Sequence, residues 1–255
     1  MRLTFLGTRG GIAISSRWHR RRSSLLLQHG KSRIMIDCGT DWLHGLNSVA
    51  PAAIVLTHAH PDHAGGLAGG AQCPVYATST TWSLLGSSLV QDRCTLPLGR
   101  LIAIDHIMFK AFPVAHSRLA PAVGLRIRAG RSFVAYVPDV AEIPDWPALL
   151  RGIDVYIGDG ATVRRSMVRR KGRTLIGHAP IAAQLDWCEE AGVRRAVFTH
   201  CGSPIVRANA AQTDVLIQRL GLEHGMDARI AYDGLQLCLG RRRHRKERGA
   251  VWCNG

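Results

Sequence analysis

The sequence predicts a mixed α/β (α+β) domain in which two β-sheets pack face to face with helices on the outside. Three observations point there. Short apolar, β-rich runs bounded by turn residues dominate both halves of the chain, each half finishes in helix, and no Pro- or Ser-rich linker divides the 255 residues. With 46% apolar residues the chain can also build the large core that such a sandwich needs.

Residues 3–6 read as a strand, followed by a Gly/Arg/Ser loop over 7–24 and strands at 25–28 and 33–37. Residues 52–57, Ala-Ala-Ile-Val-Leu-Thr, form a continuous apolar run suited to a strand buried on both faces, and the run ends at His58. Gly65 and Gly66 open a short helical segment. Strands continue at 74–77, 101–104, 108–114, 123–128 and 132–137, with two more apolar ones at 153–158 and 196–199. Helical spacing of apolar residues marks 181–191, stopped by Gly192, and 209–220, stopped by Gly221. Strands at 229–232 and 235–239 flank an Asp233-Gly234 turn. Residues 1–240 thus form the domain, and 241–255 read as a basic, flexible tail.

Charge is unevenly spread. Of 33 Lys and Arg residues, against 18 Asp and Glu, 20 fall in three runs, over 2–33, 164–173 and 241–248. Local excess of this kind suits patches that meet an anion. The last run reads as a solvated tail, whereas the first two lie near the motifs described next. Seven scattered cysteines with no C-x-x-C pair read as free thiols. No stretch approaches the ~20 apolar residues of a membrane span, and the chain enters its first strand without a hydrophobic leader. The expectation is a cytoplasmic protein with no membrane partner, monomer and homodimer both being open.

The densest chemistry is His58-Ala59-His60-Pro61-Asp62-His63, directly after the buried strand. Three imidazoles and a carboxylate within six residues exceed what an ordinary loop can satisfy, but they can converge on metal ions, and two ions fit better than one. His58 and His60 project to one side, and Asp62 and His63 can reach a neighbouring ion. Further donors stand at strand ends: His116 after Phe112-Pro113-Val114-Ala115, Asp139 after Ala135-Tyr136-Val137-Pro138, His178 after Leu175-Ile176-Gly177, and His200 after Val197-Phe198-Thr199.

In this order the donors resemble the ligand motifs of the metallo-β-lactamase superfamily. The resemblance runs from Gly7-Thr8 through Ile36-Asp37-Cys38-Gly39 and the histidine motif to Tyr232-Asp233-Gly234. Gly177-His178 followed by Phe198-Thr199-His200 is similar to the phosphodiesterase branch, which includes a cyclic-phosphate phosphodiesterase of phosphonate breakdown and the tRNA 3′-processing endonuclease. That resemblance implies a four-layer αββα sandwich and a centre of two divalent ions, Zn or Mn with Fe also compatible. It places His58, His60 and His116 on one ion, Asp62, His63 and His200 on the other, and Asp139 between them, with His178 catalytic. Asp37 resembles the aspartate that braces the ligand loop. The sequence departs from the branch twice: residues 10–24 lack the cysteine-rich zinc loop of the cyclic-phosphate enzyme, and no inserted tRNA-binding arm is present, which disfavours full tRNA maturation.

Such a site points to hydrolysis of a phosphodiester, in a cyclic nucleotide, a ribosyl phosphate or a nucleic acid. Asp62, with Asp139, takes the further task of positioning the attacking group, and His178 donates a proton to the departing oxygen or steadies a phosphoryl oxygen. Arg20, Arg21 and Arg22 in the first basic run, and Arg164, Arg165, Arg169 and Arg170 in the second, are the candidates to hold phosphate, because the guanidinium fork matches its geometry. His19 could touch phosphate or sit in a solvated basic loop, and Asp233 orients the site or only shapes its turn. The alternative reading is a lactone, thioester or other acyl hydrolase on the same metals, a class with less use for a basic wall. A flavin-linked oxidoreductase would need a second domain, and a dead binding module would not keep the full ligand set.

Overall fold

Alternation of side chains along each strand decides which of three apolar cores a residue enters. Leu25, Leu27, Ile34 and Ile36 point to one core while Leu26 and Met35 point to another; Val155 and Ile157 likewise part from Tyr156. Three cores between layers require four layers, and the computed structural model, which describes residues 1–86, 89–241 and 248–252, has them in the order helix, sheet, sheet, helix.

The first sheet is built from β1 (Arg2–Gly7), β2 (Ser24–His29), β3 (Ser32–Ile36), β4 (Ala53–Val55), β5 (Val75–Ala77) and β6 (Arg93–Thr95). The second takes β7 (Leu101–Ile104), β8 (Ile107–Val114), β9 (Ala122–Ala129), β10 (Ser132–Tyr136) and β11 (Val155–Asp159). A separate hairpin, β12 (Arg169–Lys171) and β13 (Thr174–Ile176), precedes β14 (Arg195–Thr199) and β15 (Asp227–Ile230) of the second sheet. Strands β16 (Gln236–Arg241) and β17 (Arg248–Trp252) return to the first, giving the orders β17-β16-β1-β2-β3-β4-β5-β6 and β15-β14-β11-β10-β9-β8-β7.

The central core holds Leu3, Phe5, Val55, Phe109, Tyr136 and Val197 between the sheets. Helices Ile181–Glu190 and Ala210–Glu223 cover the outer face of the second sheet, where Leu185, Cys188, Ile217 and Leu220 meet Tyr156 and Phe198. Trp42, Leu46 and Leu67 cover the first sheet in the same way. Ligand motifs leave the ends of β4, β8, β10, β13 and β14, so the edge where those strands finish collects them. No described helix is long and apolar enough to cross a membrane.

Three expectations need correction. The helix over 209–220 does not stop at Gly221 but runs on to Glu223. A Cβ on Gly221 would stand 2.5 Å from the Ala228 Cβ and 2.8 Å from the Met226 carbonyl oxygen, so this glycine admits β15 to close packing and is not a helix stop. The tail is not wholly unpacked: Arg241 closes β16, and Arg248–Trp252 pairs with it antiparallel as β17, which gives the β16 backbone a partner that the sheet edge otherwise lacks. The rest of the last basic run, 242–247, lies outside the described residues. Finally, among the described residues five cysteines are free thiols, but Cys238 is held in a disulfide.

Candidate metal centre

Each donor is placed by the end of an apolar strand and locked by a neighbour. Past β4 the backbone reaches Thr57 and His58, and the turn into helix Pro61–Ala64 brings His63 back beneath them. Asp37, at the end of β3, accepts from the Thr57 backbone N–H at 2.8 Å and lies 2.8 Å from His63 Nδ1. That contact fixes the ring so that His63 Nε2 faces the site, the bracing role that the resemblance implies for Asp37. His116 follows β8, Asp139 follows β10, and His200 follows β14 with a left-handed φ of 53°.

The expected ligands converge. His58, His60 and His116 form one group, Asp62, His63 and His200 a second, and within each the donor atoms lie within 4.8 Å of one another. Asp139 touches both: its Oδ2 lies 2.6 Å from His63 Nε2 and 3.7 Å from His58 Nε2, and its Oδ1 lies 3.3 Å from His200 Nδ1 and 3.7 Å from His116 Nδ1.

These residues fit divalent metal. His63 Nε2, His200 Nδ1 and both Asp139 oxygens are buried and crowd one another without a well-aligned hydrogen bond among the described residues, an arrangement that is costly unless a cation lies between them. Burial, with the neighbouring imidazoles, lowers the pKa of His58, His60 and His116, which favours the neutral form that ligates a metal. Burial also acts against a charge on His63, but the carboxylates of Asp139, Asp37 and Asp62 outweigh it and push its pKa to about 10. The pocket therefore demands positive charge at this point, as a proton or as a metal ion in its place.

A further acidic residue, Asp159, ends β11 one residue beyond the predicted strand, and sequence reasoning missed it. Its carboxylate groups with Asp139, His178 and His200 at ligand spacing, yet it differs from Asp139 in being satisfied. Oδ1 accepts from the Ala161 N–H at 2.8 Å, and Oδ2 accepts from the Val140 N–H at 3.1 Å and lies 2.7 Å from His178 Nδ1. Asp159 is thus a positioning residue, and His178 Nδ1 carries the proton shared with it. Burial works against a charge on His178, but the Asp159 carboxylate outweighs it and raises the pKa. The signal for Asp159 in the sequence was the pattern that found Asp139, an acid at the end of an apolar strand.

A cleft of about 850 Å³ opens over the donors, lined on one side by Gly10, Gly11 and Ile12 and on the other by residues 165–169. Gly10 and Gly11 stand against the ligands, since a Cβ there would lie 3.0 Å from the His200 ring and 3.0 Å from the Asp62 carboxylate respectively.

Of the expected phosphate-binding arginines, Arg165 and Arg169 line this cleft, whereas Arg164 and Arg170 do not. Arg20, Arg21 and Arg22 are also outside its lining, because the loop that carries them is committed elsewhere. Asp233 accepts from the Arg20 and Arg21 backbone N–H groups, the Arg21 guanidinium lies over Trp42 at 4.5 Å, and Arg22 pairs with Asp41 at 2.9 Å. His19 is neither solvated nor in the cleft; it is buried, with Nδ1 2.8 Å from Thr8 Oγ1.

A four-layer sandwich with this buried His/Asp cluster at its sheet edge is that of a metal-dependent hydrolase. The Beta-lactamase superfamily domain model matches residues 32–201, two thirds of the chain, and the chain belongs to that family. No curated protein matches it in sequence. Among solved structures, the metallo-β-lactamase fold protein YhfI from Bacillus subtilis is 17% identical with a TM-score of 0.71, covering 92% of this chain and 98% of that one. Zn²⁺-bound PqqB from Methylobacterium extorquens is 20% identical with a TM-score of 0.71, over 94% and 100% of the two chains. A diphosphatase of the PhnP family is 23% identical with a TM-score of 0.70, over 92% and 96%.

Proposed function

We propose that the protein is a dinuclear phosphodiesterase of the cytoplasm, using Zn or Mn, with Fe also compatible, on a cyclic nucleotide, a ribosyl phosphate or a nucleic-acid phosphodiester. The observation that carries this reading is the pair of donor groups on either side of the orphaned Asp139 carboxylate, at the floor of a cleft with arginines in its wall. His58, His60 and His116 would hold one ion, Asp62, His63 and His200 the other, and Asp139 both.

When bound, two divalent ions supply a nucleophile at neutral pH and offset charge on the attacking and leaving oxygens of a phosphoryl group. The chain's own residues then set direction and proton supply. Asp62, 3.0 Å from His200 Nε2, and Asp139 fix where an attacking water is oriented. His178, oriented by Asp159, holds a proton at Nε2 for the departing oxygen. Arg165 and Arg169, in the cleft wall, are placed to hold the non-reacting phosphate oxygens.

The test is a metal-reconstituted panel of bis-p-nitrophenyl phosphate, 2′,3′-cyclic nucleotides, short RNA and DNA, a lactone and a thioester. Phosphodiesters are expected to show the higher kcat/KM. Faster turnover of the lactone or thioester would instead assign acyl hydrolysis to the same donors.

A further inference from the structure

Beside the main cleft lies a second cavity of about 500 Å³, and the two share His60, His116 and Arg169 as a common wall. The rest of its lining includes Arg118, Lys171, Ser117 and Ile176, and no acidic residue. Arg118, Arg169 and Lys171 are exposed. None of the three has a carboxylate partner among the described residues, in contrast to Arg9, Arg22 and Arg195, each paired with an aspartate. Three uncompensated cations thus face a cavity that opens directly onto two of the metal donors.

The hairpin explains which basic residues face it. In β12 the side chains of Arg169 and Lys171 share one face and Arg170 takes the other. Ile176, the cross-strand partner of Arg169, lines the same cavity. The hairpin base is stitched to the active site: the Gly177 N–H donates to the His116 carbonyl at 2.8 Å, and the Met167 N–H donates to the His178 carbonyl at 3.1 Å. Gly177 alone can sit there, having a φ of 101° and leaving no room for a Cβ beside the Met167 carbonyl. Arg118 is held from the other side, on a turn in which Ser117 Oγ accepts from the Leu119 N–H at 3.2 Å and the Ala120 N–H at 3.3 Å.

We infer that this second cavity is an anion subsite, and that the substrate is a phosphodiester bearing at least one further phosphate, held by Arg118, Lys171 and Arg169 while the scissile phosphate lies over the metal donors. The inference rests on the phosphodiesterase reading and narrows its substrate class. Three cations without a counter-acid suit a phosphate dianion better than a neutral or singly charged group. Arg169, common to both cavities, can bridge the two phosphates.

The test compares thymidine 5′-(p-nitrophenyl phosphate) with its 3′-phosphorylated analogue, which have the same scissile bond and leaving group. Wild-type protein is expected to favour the 3′-phosphorylated ester by at least about tenfold in kcat/KM, the effect of one or two charge-assisted hydrogen bonds. Arg118→Gln with Lys171→Gln should remove that preference, and Arg170→Gln, on the opposite face of the strand, should keep it. No preference in the wild type, or a preference that survives Arg118→Gln with Lys171→Gln, would overturn the subsite. Should neither ester be cleaved, the phosphodiesterase reading is judged by the substrate panel above, and calorimetry with thymidine 3′,5′-bisphosphate still decides the subsite. Binding weakened about tenfold by the double substitution supports it, and absent or unchanged binding refutes it.

Discussion

Replacing Asp139 with alanine is expected to remove metal and activity together. This carboxylate is buried, approaches donors of both groups within 3.7 Å, and makes no well-aligned hydrogen bond among the described residues. Burial alone would raise its pKa, but His200, His116 and His63 outweigh that and hold it well below the usual carboxylate range, so it is an anion ready for cations. Asp139→Ala should leave at most one ion per chain by elemental analysis and lower kcat/KM on a phosphodiester by about 10³ or more. Two ions retained in the variant would take Asp139 out of the bridge.

His178→Ala should do the opposite to metal and nearly as much to rate. Its Nδ1 is engaged by Asp159, so loss of the ring should leave both ions in place while kcat falls by about 10² to 10⁴. A proton donor matters least where the leaving group needs no proton, and a p-nitrophenyl ester should therefore suffer less than an alkyl ester. Asp159→Asn keeps a hydrogen-bonding side chain but removes the charge that raises the His178 pKa, so the same leaving-group dependence should appear in weaker form. Metal lost from His178→Ala would make the histidine a ligand.

The donors were legible in the sequence because chemistry and local structure coincide. His58, His60, Asp62 and His63 follow one apolar run, and His116, Asp139, His178 and His200 follow others, so the strand ends alone bring them to one edge. What the sequence could not supply was long-range or depended on facing. Asp159 has the same placement as Asp139, and only its three hydrogen-bond partners separate a braced carboxylate from an orphaned one. The arginines divided by facing: Arg169 and Arg170 are neighbours in sequence and point to opposite sides of a three-residue strand, while Arg21 and Arg22 are drawn to Trp42 and Asp41. Arg118, two residues past His116, lies outside all three basic runs and was missed for that reason. Gly221 read as a stop because a local rule cannot see the strand packed against it.

The most direct test of a dinuclear phosphodiesterase is the rate of bis-p-nitrophenyl phosphate hydrolysis measured against the number of ions bound per chain, as Zn or Mn is added back to metal-free protein. Activity is expected to rise chiefly with the second equivalent and to level off when both donor groups are filled. Full activity with one ion per chain, or no phosphodiester hydrolysis with two ions bound, would contradict it.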